Sequence, residues 1–143
     1  METDVVKTPE PIRVLVVDDH PTVRQGLGRL LEPEGITVCA EAANCADALA
    51  MVQKSRPDMA LVDLSLGDED GVTLIAGLHE QALHSLAYSI HEDEQHVRRA
   101  MAAGALGYVT KSEVHLVLVD AIFEVAAGRC FISPRATMAL TQR

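Results

Sequence analysis

Four short apolar runs along the chain each end in a polar side chain. Ile12-Arg13-Val14-Leu15-Val16-Val17 leads into Asp18-Asp19, and Met59-Ala60-Leu61-Val62 leads into Asp63. Ser85-Leu86-Ala87-Tyr88 leads into Ser89, and Leu106-Gly107-Tyr108-Val109-Thr110 leads into Lys111. Such brief, nearly unbroken apolar stretches predict strands covered on both faces. A further strand is expected over Ile36 to Ala42. Between these runs the apolar period changes to that of a helix: Val23, Leu27, Leu30 and Leu31; Ala48, Leu49 and Val52; Ile75 and Leu78; Val97 and Met101; and a last helix over about Glu113 to Ala127. Pro21 suits a first helical turn, Asn44 an N-cap, and Pro33 to Gly35, Gly104 and Gly128 suit helix ends.

Strand and helix thus alternate five times. That alternation implies right-handed crossovers and a parallel sheet with helices on both faces, an α/β, flavodoxin-like (βα)5 fold with five strands in the order 2-1-3-4-5. In such a sheet the carboxyl ends of the strands share one edge. Three carboxylates, a hydroxyl and an ammonium then converge there, at the crevice where ligands bind in open α/β sheets.

A length of 143 residues fits one domain. Residues 1–11, charged and carrying two prolines without an apolar period, are expected to be a flexible leader. The formal charge of −9 argues against this chain gripping a nucleic-acid backbone by itself. No apolar run has the length of a membrane span, and the start lacks the basic and apolar regions of a signal peptide, so no membrane partner and a cytoplasmic location are expected. Cys39, Cys45 and Cys130 are odd in number and lack zinc-site spacing, which leaves them as ordinary small residues.

The convergent groups suit metal-assisted phosphoryl transfer. Asp63 offers a nucleophilic oxygen. Asp18 and Asp19 offer a hard-cation site for Mg²⁺, with Mn²⁺ as the substitute, because three crowded carboxylates repel one another until a divalent ion relieves them. Lys111 supplies a mobile point charge for a phosphoryl oxygen, and Ser89 a neutral donor. Each position alone also fits a plainer role: Asp18, Asp19, Asp63 and Ser89 as helix caps, Lys111 as a surface lysine.

Over about residues 12–128 the sequence resembles the receiver domain of bacterial two-component response regulators. The matching stretches are Val-Leu-Val-Val-Asp-Asp-His-Pro (14–21), Pro-Asp-Met-Ala-Leu-Val-Asp-Leu (57–64), Asp70-Gly71, Ser89, and Ala-Gly-Ala-Leu-Gly-Tyr-Val-Thr-Lys-Ser (103–112). The resemblance implies that a sensor histidine kinase phosphorylates Asp63. It implies that Asp18, Asp19, Asp63 and the backbone carbonyl of Ser65 hold Mg²⁺. Ser89 and Lys111 would contact the phosphoryl group, and Tyr108 would be the aromatic that changes rotamer with Ser89 as the switch. Ser65 and His91 match places that tune phosphoryl lifetime. Asp-Asp-His-Pro and Gly-Tyr-Val-x-Lys-Ser resemble the NarL/FixJ branch, in which a linker and a LuxR-type helix-turn-helix follow. Residues 129–143 resemble the start of that linker, so the chain is expected to be a fragment whose DNA contact lies in an absent C-terminal output domain.

Two departures stand out. Gly67 replaces a common proline, giving a looser and more acidic loop over Ser65 to Asp70. Ser112 follows Lys111 where many receivers have proline in a cis bond, which before serine would cost about 2.5–4 kcal/mol. The last helix carries two apolar stripes, Leu116, Val119, Phe123 and Ala126 beside Val114, Leu118, Ala121 and Val125. One would pack on the sheet; the other fits either a homodimer contact on phosphorylation or a helix wedged deeper between its neighbours. No turnover of an external substrate is expected. The competing readings are a pseudo-receiver that binds partners without phosphorylation and a haloacid-dehalogenase-like phosphatase. The phosphatase wants Asp-x-Asp, whereas this chain has adjacent carboxylates.

Overall fold

The structure is a computed structural model and describes residues 10–141. The expected leader over 1–11 therefore lies, but for its last two residues, outside the described residues, as do the last two of 129–143.

Strand β1 (Ile12–Val17) leads to α1 (Pro21–Leu31), and β2 (Ile36–Ala42) to α2 (Cys45–Ser55). Then come β3 (Met59–Asp63), the two-residue strands β4 (Ser65–Leu66) and β5 (Glu69–Asp70), and α3 (Gly71–Glu80). The chain continues through β6 (Ser85–Ser89), α4 (Glu94–Ala103), β7 (Gly107–Thr110), α5 (Val114–Ala126), β8 (Phe131–Ile132) and α6 (Pro134–Thr141). The main sheet is parallel, in the order β2-β1-β3-β6-β7-β8. Its first five members follow the order expected from the sequence.

The sixth strand corrects the five-stranded expectation. β8 comes from the segment read as linker. Its chain hydrogen-bonds along the edge of β7, with Phe131 N donating to Leu106 O (3.3 Å) and Ser133 N to Tyr108 O (2.9 Å). α6 then buries Ala136 and Ala139 in the core. A run as short as Phe131-Ile132 has no periodicity of its own, so only the open edge of β7 could reveal it as a strand. The loop after Asp63 also carries structure: β4 and β5 form a small antiparallel hairpin, Ser65 opposite Asp70.

Side chains alternate across the sheet and build two cores. Leu15, Val17, Ala60, Val62, Ala87 and Tyr108 face α2, α3 and α4, which contribute Ala48, Leu74, Ile75, Leu78, Val97 and Ala100. Val14, Val16, Leu61, Leu86, Tyr88 and Val109 face α1 and α5. Met101 is only half-buried, and Val97 and Ala100 hold the inner face of α4. On α5 the Val114, Leu118, Ala121 and Val125 stripe is buried; Leu116 is 81% exposed and Phe123 42%. Among the described residues no helix is long and apolar enough to cross a membrane, and no peptide bond is cis, Lys111–Ser112 included.

Caps place the helix starts at the sheet edge. Asn44 accepts from Asp47 N (2.8 Å), Asp70 from Val72 N (2.9 Å) and Asp93 from His96 N (3.1 Å). Gly71 opens α3 against the end of β3: a Cβ there would stand 2.3 Å from the Asp63 carbonyl oxygen and 2.7 Å from Leu64 Cα. Both neighbours are backbone and cannot yield as a flexible side chain would. Gly71→Ala is therefore expected to destabilise the fold by about 2–4 kcal/mol. Urea unfolding followed by circular dichroism checks this; an unchanged midpoint would show that α3 can move off β3.

Candidate functional site

Asp63 ends β3 and is 2% exposed; Asp18, just past β1, is 0% exposed. Parallel pairing of β1 with β3 brings the two strand ends side by side. Lys111, one residue beyond β7, reaches across: its Nζ lies 2.8 Å from Asp63 Oδ2 and 3.5 Å from Asp18 Oδ2. Asp63 Oδ1 accepts the Ser65 N–H (3.0 Å). Asp18 Oδ1 accepts the His20 N–H (2.8 Å) and faces His20 Nδ1 (2.9 Å), while Asp18 Oδ2 accepts the Tyr88 hydroxyl. The backbone of Asp18 is held as well, its N–H donating to Ala42 O (3.0 Å) and its carbonyl accepting from Arg24 Nη1.

Asp19 is different. Its Oδ1 is buried and accepts no hydrogen bond; the nearby His20 Nδ1 (3.0 Å) is engaged with Asp18. Leaving a buried carboxylate oxygen without a partner is costly, and a bound cation would satisfy it. One ligand atom from each of Asp18, Asp19, His20 and Asp63 falls within a common 4.8 Å cluster. The donor set is rich in hard carboxylate oxygens and fits Mg²⁺ or Mn²⁺.

The charges in the pocket pull in opposite directions. Burial pushes the Asp63 carboxyl above its ordinary value, against the hydrogen bonds from Lys111 and Ser65. Burial acts the same way on Asp18, but the bonds from Tyr88 and His20 outweigh it and hold that carboxyl below its ordinary value. The Asp18 bond and the Asp19 charge raise the His20 imidazole. Burial, with the bond to Asp18, raises the Tyr88 phenol, which therefore stays a donor.

Ser89 is buried at the end of β6, where its Oγ accepts the His91 N–H (3.0 Å) and its hydroxyl lies beside the Tyr108 phenol. Tyr108 is buried on the other face of the sheet from Tyr88, donates to the His91 carbonyl (2.7 Å), and has its phenol pushed up to about 12 by burial. Ser65 is the exposed residue of strand β4, whose other residue, Leu66, is buried. A cleft of about 250 Å³ opens beside it, lined by Asp68, Asp70, His91, His96 and Arg99 among others. Its mouth is acidic, although Arg99 Nη2 is tied to Asp70 Oδ2 (2.8 Å). Gly67 holds the hairpin turn with φ +61°.

The structure thus brings Asp18, Asp63 and Lys111 into direct contact and sets Asp19 beside them. It also shows groups that sequence reasoning passed over. Tyr88 belongs by alternation to the α1 and α5 face, and only its length carries the hydroxyl up to Asp18. Glu92, after β6, accepts from Ser112 Oγ (2.8 Å) and Arg135 Nη1 (3.3 Å), and Glu113 accepts from Thr110 Oγ1 (2.6 Å) and Arg135 N (3.0 Å). These tie the end of β7 to α6. His91 and His96 lie near Asp93 as a second group of ligand types, but their rings stack in parallel with centroids 3.8 Å apart. Two parallel ring planes share no in-plane point for a common metal.

The family model of the response regulator receiver domain matches residues 14–123. The chain is similar to the DNA-binding transcriptional activator DevR/DosR of Mycobacterium tuberculosis, 38% identical over 133 residues, covering 90% of this chain and 61% of that protein. It is 34% identical over 129 residues to the probable transcriptional regulatory protein NarL of the same species, covering 88% and 60%. Among solved structures it resembles a LuxR-family two-component response regulator from Aurantimonas sp., with a TM-score of 0.86 and 35% identity over 91% of this chain and 95% of that one. The chain spans about three fifths of the length of the curated relatives it matches.

The opposed pulls on the carboxylates have a consequence for stability. Asp63, raised by burial, favours the native state when protonated; that contribution is lost as pH rises through the raised value, and the ionised group is a liability at neutral pH. Asp63→Asn, stripped of divalent cations, is therefore expected to melt about 2–5 °C above wild type at pH 7. The gap should close below about pH 4. Thermal melts across that range check this, and a variant that melts lower at pH 7 would contradict it.

Proposed function

The chain belongs to the response regulator receiver domain family, and we propose that it works as a phosphorylation-dependent switch with Asp63 as the phosphoacceptor. The observation that carries this reading is the pocket itself: a buried strand-end carboxylate with an ammonium at 2.8 Å, beside the unpartnered Oδ1 of Asp19.

Asp18, Asp19 and Asp63, with the Ser65 backbone carbonyl, would hold the divalent ion. When bound, Mg²⁺ or Mn²⁺ supplies positive charge to the phosphoryl oxygens and relieves the crowding of carboxylates. An Asp63 oxygen attacks phosphorus as the bond to the donor, a phosphohistidine of a sensor kinase, breaks. Lys111, released from Asp63 Oδ2, pairs with a phosphoryl oxygen, and Ser89 turns its hydroxyl hydrogen to another. Drawing Ser89 and Lys111 inward shifts the ends of β6 and β7, where Tyr108 holds the His91 carbonyl.

The output is read from the relatives' names and lengths. It would lie in a C-terminal DNA-binding domain following residues 129–143, with transcription as the controlled process. Leu116 and Phe123, exposed on α5, support a dimer contact in the phosphorylated state.

Incubation with Mg²⁺ and acetyl phosphate, read by intact mass, tests this. A single phosphoryl adduct is expected that requires Mg²⁺ and is absent from Asp63→Asn, with a shift toward dimer on size exclusion. Wild type that takes neither phosphate nor a beryllofluoride mimic would favour the pseudo-receiver reading. Turnover of a generic phosphomonoester would favour the phosphatase.

A further inference from the structure

We propose that Tyr88 sets how strongly Asp18 draws a divalent cation, acting as a positioning residue through that carboxylate. The inference rests on the cation site described under the proposed function and adds a residue to it.

Four protein donors surround Asp18. His20 takes Oδ1 through its N–H and Nδ1, and Tyr88 and Lys111 take Oδ2. Tyr88 is 1% exposed and pairs with Asp63 across β3 and β6, so its backbone is fixed by the strand that holds the phosphoacceptor. Its ring lies beneath Lys111, with Nζ 4.8 Å from the centroid. One side chain therefore touches both Asp18 and the ammonium that bridges to Asp63.

A hydroxyl bonded to a free, buried carboxylate is worth more than the same bond to a carboxylate whose charge is already drawn toward a metal. Tyr88 thus stabilises the cation-free pocket more than the loaded one and weakens cation binding. Removing the hydroxyl should leave Asp18 in place, because His20 pins Oδ1 and Ala42 O holds the backbone N–H. What is lost is the nearer of the two donors on Oδ2, with Lys111 Nζ remaining at 3.5 Å.

The test uses Tyr88→Phe, which keeps the ring and its packing, with Leu86→Ala as a control on the same buried face. Mg²⁺ binding to the stripped full chain is measured by calorimetry, and melting is measured with and without saturating Mg²⁺. Tyr88→Phe is expected to bind Mg²⁺ about three- to tenfold more tightly. It should melt lower than wild type without the ion and recover most of the gap with it. Leu86→Ala should melt lower in both conditions at unchanged affinity. Unchanged affinity in Tyr88→Phe, with equal melting loss in both conditions, would reduce Tyr88 to packing and overturn the proposal. Weaker binding would overturn it too, by showing that the hydroxyl helps to orient the ligand. Wild type that binds no divalent cation would overturn the cation site itself, a result distinct from either.

Discussion

Two buried carboxylates sharing one ammonium form the constraint around which the rest of the fold is arranged. Asp18 and Asp63 are almost wholly removed from water, and like charges so placed repel each other; burial raises the Asp63 carboxyl, while the bonds from Tyr88 and His20 hold Asp18 below its ordinary value. Lys111 bridges them, yet its reach depends on β7 lying two strands from β3 with β6 between. The parallel sheet makes that possible by ending every strand at the same edge. Hydrogen bonds from Ser65, His20 and Tyr88 then keep the carboxylates oriented.

Such a pocket is poised. Any ligand that brings positive charge to the carboxylates, or negative charge to Lys111, changes the balance of several bonds at once. The groups that would feel the change sit at the ends of β6 and β7: Ser89, whose oxygen holds the His91 N–H, and Tyr108, whose hydroxyl holds the His91 carbonyl. His91 is thus gripped from both sides. From Thr110 and Glu113 the contacts continue to Arg135 and α6, so a movement of β7 has a packed route to the last described helix.

The acidic hairpin β4–β5 works on the same pocket from outside. Asp68, Glu69 and Asp70 surround the cleft beside Ser65, and only Asp70 is neutralised locally, by Arg99. A field of that sign draws cations toward the edge and opposes small anions approaching through the cleft. The close fit of Gly71 against the Asp63 carbonyl keeps this hairpin anchored while Gly67 lets it turn.

Much of this was legible in the sequence because it rests on local chemistry. Apolar runs of strand length, helical periods between them, and capping or breaking residues at the joints define five strand-helix units, and the polar residues closing four of the runs mark the sheet edge where the pocket forms. The resemblance to receiver domains rests on those same positions. Other features depended on the tertiary structure, since they arise from what lies opposite rather than what lies adjacent. Phe131-Ile132 is a strand because β7 has an open edge to pair with. Tyr88 is expected in the core by alternation, and it reaches the pocket because its ring spans the depth of the sheet edge to Asp18. The orphaned oxygen of Asp19, beside a fully bonded Asp18, could not be told from the pair Asp18-Asp19 alone. Two adjacent carboxylates differ only in their neighbours, and packing chooses the neighbours.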